Sequence, residues 1–229
     1  MKRLSFYFRY HMSAALAAVL ISVTMISCAG SSPYSALENG DLIFQANTGS
    51  DFVSAIEAVT KAGDTLMSFS HVGIICKTRE GISVLEATPE KGVCVTAMED
   101  FLRSSAHDQE GHPLVRVMRY TGEDHDEVCG RAIERAMSHL GKGYDFAFDP
   151  GMEAVYCSEL VFGSYVDSEG NPIFRSNPMT FKDSSGETSP LWVDYYAKLG
   201  KEIPEGEMGT NPNDMSREVL LETVPVVFP

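Results

Sequence analysis

Tyr156-Cys157-Ser158-Glu159-Leu160-Val161-Phe162 carries a cysteine at the head of an apolar run, which reads as the first turn of a buried helix. Backbone N–H groups without intrahelical partners and the positive end of the helix dipole gather there, and both favour a thiolate over a thiol. A thiol nucleophile needs a base. Far upstream, Ser70-His71-Val72-Gly73-Ile74-Ile75-Cys76 reads as a strand and would hold His71 on a rigid element.

A third residue follows from strand geometry. Arg79-Glu80 interrupts the run containing His71, and Ile82 to Ala87 forms the next strand-like run. With an even loop centred on Arg79-Glu80, Lys77 pairs near Ile82 and Gly73 lies opposite Glu86. His71 and Glu86 then become diagonal neighbours on one face. A three-residue loop would send Glu86 to the other face. In the first case Cys157 attacks, His71 moves the proton, and Glu86 fixes the imidazole tautomer. Taken singly, each residue also has a plain structural reading: Cys157 as packing beside Leu160 and Val161, His71 as a satisfied structural histidine, Glu86 as a solvated strand residue. Tyr156 reads equally as core packing and as a wall and hydrogen-bond donor near the reacting carbonyl.

The N-terminus points to export. Lys2, Arg3 and Arg9 precede an uncharged apolar stretch from Ala14 to Ile26, the order found in a secretory signal peptide, and the stretch is too short to span a bilayer. Met25-Ile26-Ser27-Cys28 resembles a bacterial lipobox, with Met25 where leucine is usual. Residues 1–27 are therefore expected to be a lipoprotein signal, Cys28 its lipidated residue and membrane anchor, 28–38 a tether, and 39–229 a single domain. The chain has 229 residues with a formal charge of -14, which argues against nucleic acid as a partner. Cys76, Cys94 and Cys129 lie among apolar residues and read as buried thiols, a lone Cys76–Cys94 bridge being the alternative. Neither a metal-ligand motif nor a phosphate loop is present. His107, His112, His125 and His139 fall in a polar loop or along a helix, and Asp41 and Asp64 read as turn residues beside glycines.

Along the mature chain, Asp41 to Gln45 reads as a strand, and Ser50-Asp51 as the cap of a helix with Phe52, Ile56 and Val59 on one stripe. Strands are expected at Ser70 to Lys77, Ile82 to Ala87 and Gly92 to Val95. Thr96-Ala97-Met98-Glu99 has capping-box spacing ahead of a short helix, and Asp108 to Pro113 is a polar loop. Leu114 to Tyr120 alternates as a half-buried strand does. A long helix then starts at Asp124, carries Cys129, Ile133, Ala136, Met137 and Leu140 on its stripe, and ends at Gly141. The stretch from Gly170 to Asn213, rich in Pro, Ser and Gly, reads as a long surface excursion, and Glu222 to Val227 as an edge strand limited by Pro225. The sum is an α+β fold, helices beside a small antiparallel sheet.

Gly40-Asp41-Leu42-Ile43-Phe44, Ser70-His71-Val72-Gly73-Ile74, Val84-Leu85-Glu86-Ala87 and Tyr156-Cys157-Ser158-Glu159-Leu160-Val161, in this order, resemble the YiiX/YebB-like branch of the NlpC-type papain-like cysteine hydrolases. Pro212-Asn213-Asp214 looks like a late segment of the same pattern. That branch is circularly permuted, with histidine before cysteine. The resemblance implies a papain-like fold whose nucleophile helix packs on an antiparallel sheet, with Cys157 as nucleophile, His71 as base, Glu86 as third member and no cofactor. Three readings follow: an envelope hydrolase cleaving an amide such as a peptidoglycan peptide bond through a thioester, an acyl hydrolase or acyltransferase acting on lipid amides or esters, and a non-catalytic binding module of an envelope lipoprotein. An apolar groove beside Cys157 would favour the second.

Overall fold

Leu42-Ile43-Phe44-Gln45 is buried at every position, a pattern that a one-faced strand cannot produce and that requires cover on both sides. In the computed structural model, which describes residues 34–46, 60, 67–183 and 185–228, this stretch is β1 (Leu42–Gln45), an inner strand of a six-stranded sheet. The others are β2 (His71–Thr78), β3 (Gly81–Thr88), β4 (Gly92–Ala97), β5 (Val115–Tyr120) and β8 (Leu221–Val224). The order across the sheet is β4-β3-β2-β1-β5-β8, and all its pairings are antiparallel.

Two helices cover one face, α2 (His125–Ser138) and α3 (Cys157–Ser164), whose Val128, Ala132, Leu160 and Val161 pack with Leu42, Phe44, Ile74 and Leu85. A short helix, α1 (Met98–Ser104), serves the other, where Met98, Phe101 and Leu102 meet Ile43, Ile75, Val84 and Val117. The α+β reading and the antiparallel sheet agree with this architecture. Among residues expected to form a tether, Leu37 is fully buried and Tyr34 stacks on Phe228. The signal segment, Cys28, the helix expected from Ser50 to Val59, and Asp64 lie outside the described residues.

Several local expectations are corrected. Thr96 makes no cap for α1, because it is still paired with Val84 in the sheet, and Ala97 takes the cap position without a side-chain bond. Asp124 stands at the N-cap of α2 as expected, but its side chain accepts a hydrogen bond from the Tyr120 hydroxyl and makes no cap bond. Leu140 is exposed, since α2 ends at Ser138. Asp41 does more than form a turn: it is fully buried and held by Arg119 Nε at 2.7 Å, with a second bond from Nη2 at 2.8 Å. The four described cysteines are free thiols; Cys76 and Cys129 are buried, and Cys94 only half-buried, so no Cys76–Cys94 bridge forms.

The largest correction concerns the excursion from Gly170 to Asn213. It contains β6 (Asn177–Pro178), α4 (Pro190–Leu199), β7 (Met208–Gly209) and the start of α5 (Pro212–Met215), with β6 paired to β7. Phe181, Trp192 and Tyr196 form an apolar nucleus of its own. Trp192 and Tyr196 are four residues apart and so share one face of α4, while Pro190 opens that helix and Gly200, at φ 66°, closes it.

Candidate active site

The loop Arg79-Glu80 has the even length on which the placement of Glu86 depends: Lys77 pairs with Ile82 and Thr78 with Gly81. His71 is the first residue of β2, opposite Gln45 at the end of β1. His71 Nε2 lies 2.6 Å from Glu86 Oε2, and both residues are buried. Gly73 makes this approach feasible, because a Cβ there would stand 2.3 Å from Val84 Cγ1 and 3.4 Å from Glu86 Cβ. Behind the imidazole, Phe101 stacks at a centroid distance of 5.8 Å. Gln45 ties β1 to α1 through bonds from Nε2 to the Phe101 carbonyl at 2.8 Å and the Ser104 hydroxyl at 3.0 Å.

Cys157 opens α3 and lies close enough to His71 for its sulfur to act on the ring, whose Nε2 faces Glu86. Burial by itself would lower the affinity of the ring for its proton. The nearby sulfur of Cys157, followed by Glu86, outweighs it and raises the His71 pKa from 6.5 to about 10. The direction of the shift favours the protonated ring, set between the side chains of Glu86 and Cys157. Its Nε2 faces Glu86, which leaves Nδ1 free of that side chain.

Sequence reasoning missed two neighbours of the cysteine. Tyr144 is pushed well above the ordinary phenol range, first by burial and next by the charge of Cys157, so its hydroxyl keeps its proton. Glu159 stands at the third helical position of α3, close to the backbone of Tyr156 and Gly151. Burial, then the charge of Asp145, raises its pKa to about 8.

Cys157 lines a cavity of about 240 Å³. Tyr144, Phe148, Tyr156, Met179, Phe181 and Trp192 make the apolar part of its wall, the excursion supplying half of these, and Ser70, Asn177, Thr180, Thr210 and Asn211 are among the polar residues that complete it. Tyr156 is buried, stacks edge-on against Phe148 at 5.2 Å, and accepts a hydrogen bond from Thr210 N at 3.1 Å. Phe148 has φ 54°, an uncommon backbone conformation for a bulky residue. Asp214 is the sole formally charged side chain among the described residues on the cavity wall, and Asn211 and Arg217 already bind it. Among the described residues, one group of three acidic or histidine side chains has metal-ligand spacing, Asp108, Glu110 and His112. It is an exposed loop, in which Asp108 accepts from the backbone of Glu110 and His112.

Residues 36–225 match a family described as permuted papain-like amidase enzymes of the YaeF/YiiX type. The chain is 28% identical over 192 residues to the uncharacterized protein YiiX of Escherichia coli (strain K12), covering 84% of this chain and 88% of that one. The crystal structure of metalloprotein yiiX from Escherichia coli O157:H7 superposes with a TM-score of 0.65 at 25% identity, covering 84% of this chain and 98% of that one.

Proposed function

This chain belongs to the YaeF/YiiX family of permuted papain-like amidases and is a cysteine hydrolase, and from that premise we propose that Cys157, His71 and Glu86 are its catalytic triad. The observation that carries the assignment is the position of His71, bonded to Glu86 at 2.6 Å and beside the sulfur of Cys157, where Cys157 meets the cavity. The Cys157 thiolate attacks an amide carbonyl carbon, forming a C–S bond while the carbonyl electrons move to oxygen. The backbone N–H of Cys157 at the start of α3 and the protonated phenol of Tyr144 stabilise that oxyanion. His71 gives its Nδ1 proton to the departing nitrogen as the C–N bond breaks, leaving a thioester and a neutral ring. The ring then takes a proton from water as the water oxygen attacks the thioester, and the thiolate is released. Glu86 keeps Nε2 as a donor and stabilises the imidazolium throughout.

The walls of the cavity favour an acyl amide or ester with an apolar chain. A peptidoglycan stem peptide brings carboxylates, and the described wall residues offer no cation to meet them. The related structure is titled a metalloprotein. Cys157 and His71 would give a metal two donors, whereas Glu86 is committed to Nε2 and a catalytic zinc site typically takes about three protein ligands; the site does not fit a metal, and no step uses one. Residues 1–27 direct export and Cys28 carries the lipid anchor, a reading supported by the order of charged and apolar residues and by the lipobox-like Met25-Ile26-Ser27-Cys28.

The test is to incubate the protein and its Cys157→Ser variant with N-acyl amides of graded chain length and with peptidoglycan fragments, and to detect products by mass spectrometry. Release from long-chain amides by the unmodified protein alone is expected. Release from peptidoglycan fragments alone would restore the stem-peptide reading, and release from neither set would remove support for amide cleavage.

A further inference from the structure

Asn213 is 4% exposed and makes hydrogen bonds from both ends of its amide. Its Oδ1 accepts from Phe69 N at 2.7 Å, and its Nδ2 donates to the hydroxyls of Thr60 at 3.0 Å and Ser68 at 3.1 Å. Phe69 lies two residues before His71, and His71 is the terminal pair of the β1–β2 ladder. Strand ends fray unless their lead-in is held. Here the lead-in is held by Ser70 N on the Gln45 carbonyl at 3.1 Å and by Phe69 N on Asn213.

Three residues earlier, Thr210 binds the other half of the site. Its N–H donates to the Tyr156 hydroxyl at 3.1 Å and its hydroxyl to Ser158 Oγ at 3.0 Å, so both residues flanking Cys157 are tied to it. Thr210 and Asn213 cannot drift apart. Pro212 opens α5, and the Asn211 side chain caps that turn by accepting from Asp214 N at 2.8 Å. A four-residue strap thus spans from the cysteine helix to the entry of the histidine strand.

We infer that the Thr210–Asn213 strap, through Asn213, is the positioning element that sets the separation and alignment of Cys157 and His71. The inference rests on the triad reading and adds residues that act through it. Catalytic pairs are sensitive to misplacement of about 1 Å; α3 packs on β2 through Leu160, Val161 and Ile74, and among the described residues the hydrogen bonds of the strap join the first turn of α3 to the residues that lead into His71.

The experiment follows alkylation of Cys157 by iodoacetamide across pH, read by mass spectrometry of the full chain, in the unmodified protein and in His71→Ala, Asn213→Ala, Asn213→Asp and Thr210→Val. A carboxylate at 213 still accepts from Phe69 N and from both hydroxyls, so Asn213→Asp is the conservative rescue. Asn213→Ala is expected to slow alkylation at neutral and mildly acid pH on the order of tenfold or more, towards the His71→Ala profile, and Asn213→Asp to restore most of it. Should Asn213→Ala fail to fold, Thr210→Val, which removes only the bond to Ser158, is expected to shift the profile the same way. An unmodified profile in Asn213→Ala, or in Thr210→Val where that variant decides, overturns the inference and leaves the triad standing. A profile in Asn213→Asp as depressed as in Asn213→Ala overturns it too. If the unmodified protein itself alkylates no faster than His71→Ala, the triad reading fails and the strap inference falls with it.

Discussion

Replacing Glu86 with glutamine should lower the proton affinity of His71 while leaving its ring in place. The amide oxygen still accepts from Nε2–H, but the carboxylate that faces the ring at 2.6 Å in a buried setting is gone. A hydrogen bond to a charged group contributes about 1.5–3 kcal/mol, and one pKa unit corresponds to about 1.4 kcal/mol. Because the amide keeps a neutral hydrogen bond of about 0.5–1.5 kcal/mol, only the difference is lost, and the His71 pKa should fall from about 10 by roughly one unit, the nearby sulfur of Cys157 still holding it above the ordinary value. The assay is NMR titration of the imidazole with histidine-selective labelling, the His71 resonance assigned by its loss in His71→Ala. The sign for stability follows from the raised pKa. The contribution of the His71 proton is present in full below pH 6.5 and is lost as the pH rises through about 10. In Glu86→Gln the end of that loss moves to lower pH. A His71 titration unchanged in Glu86→Gln, or moved upward, would refute the role of Glu86 in holding the imidazolium.

Gly73→Ala forces a Cβ to within 2.3 Å of Val84 Cγ1; a loss of about 1–3 kcal/mol is expected in chemical denaturation, together with weaker coupling of His71 to Glu86 in the same NMR titration. Trp192→Ala removes a cavity wall and the centre of the small aromatic nucleus; about 3–5 kcal/mol should be lost locally, and hydrolysis of long-chain amides should fall while the His71 resonance stays where it was. Arg119→Ala leaves the side chain of Asp41, at 0% exposure, without its guanidinium; a loss of about 3–5 kcal/mol in chemical denaturation is expected.

The parts of the fold legible in the sequence are those governed by short-range rules. The strands at 42–45, 71–78 and 81–88 follow from apolar runs and turn residues, and the two-residue loop at Arg79-Glu80 sets the register that brings Glu86 to His71. What could not be read depends on partners distant in the chain. Asp41 sits next to a glycine and so reads as a turn residue, yet its burial is settled by Arg119, 78 positions later. Asn213 lies in a Pro-, Asn- and Ser-rich stretch and reads as loop, although its hydrogen bonds reach 144 residues back to Phe69. The cavity was hidden for the same reason. Its aromatic walls come from the loop before Cys157 and from the excursion after it, and no local period links Phe148 to Trp192. Thr96 shows the opposite failure, in which a valid local signal for a helix cap loses to strand pairing with Val84.

An activated acyl ester that leaves its acyl group on the nucleophile tests the role of Cys157 most directly. The protein is mixed with a chromogenic ester of a medium-chain fatty acid, quenched in acid at short times, and digested for mass spectrometry. The expected result is a burst of released alcohol matched by an acyl adduct on Cys157, absent in Cys157→Ser and greatly slowed in His71→Ala. An adduct on another residue, or equal acylation of Cys157 with and without His71, would contradict the assignment of Cys157 and His71 as nucleophile and base.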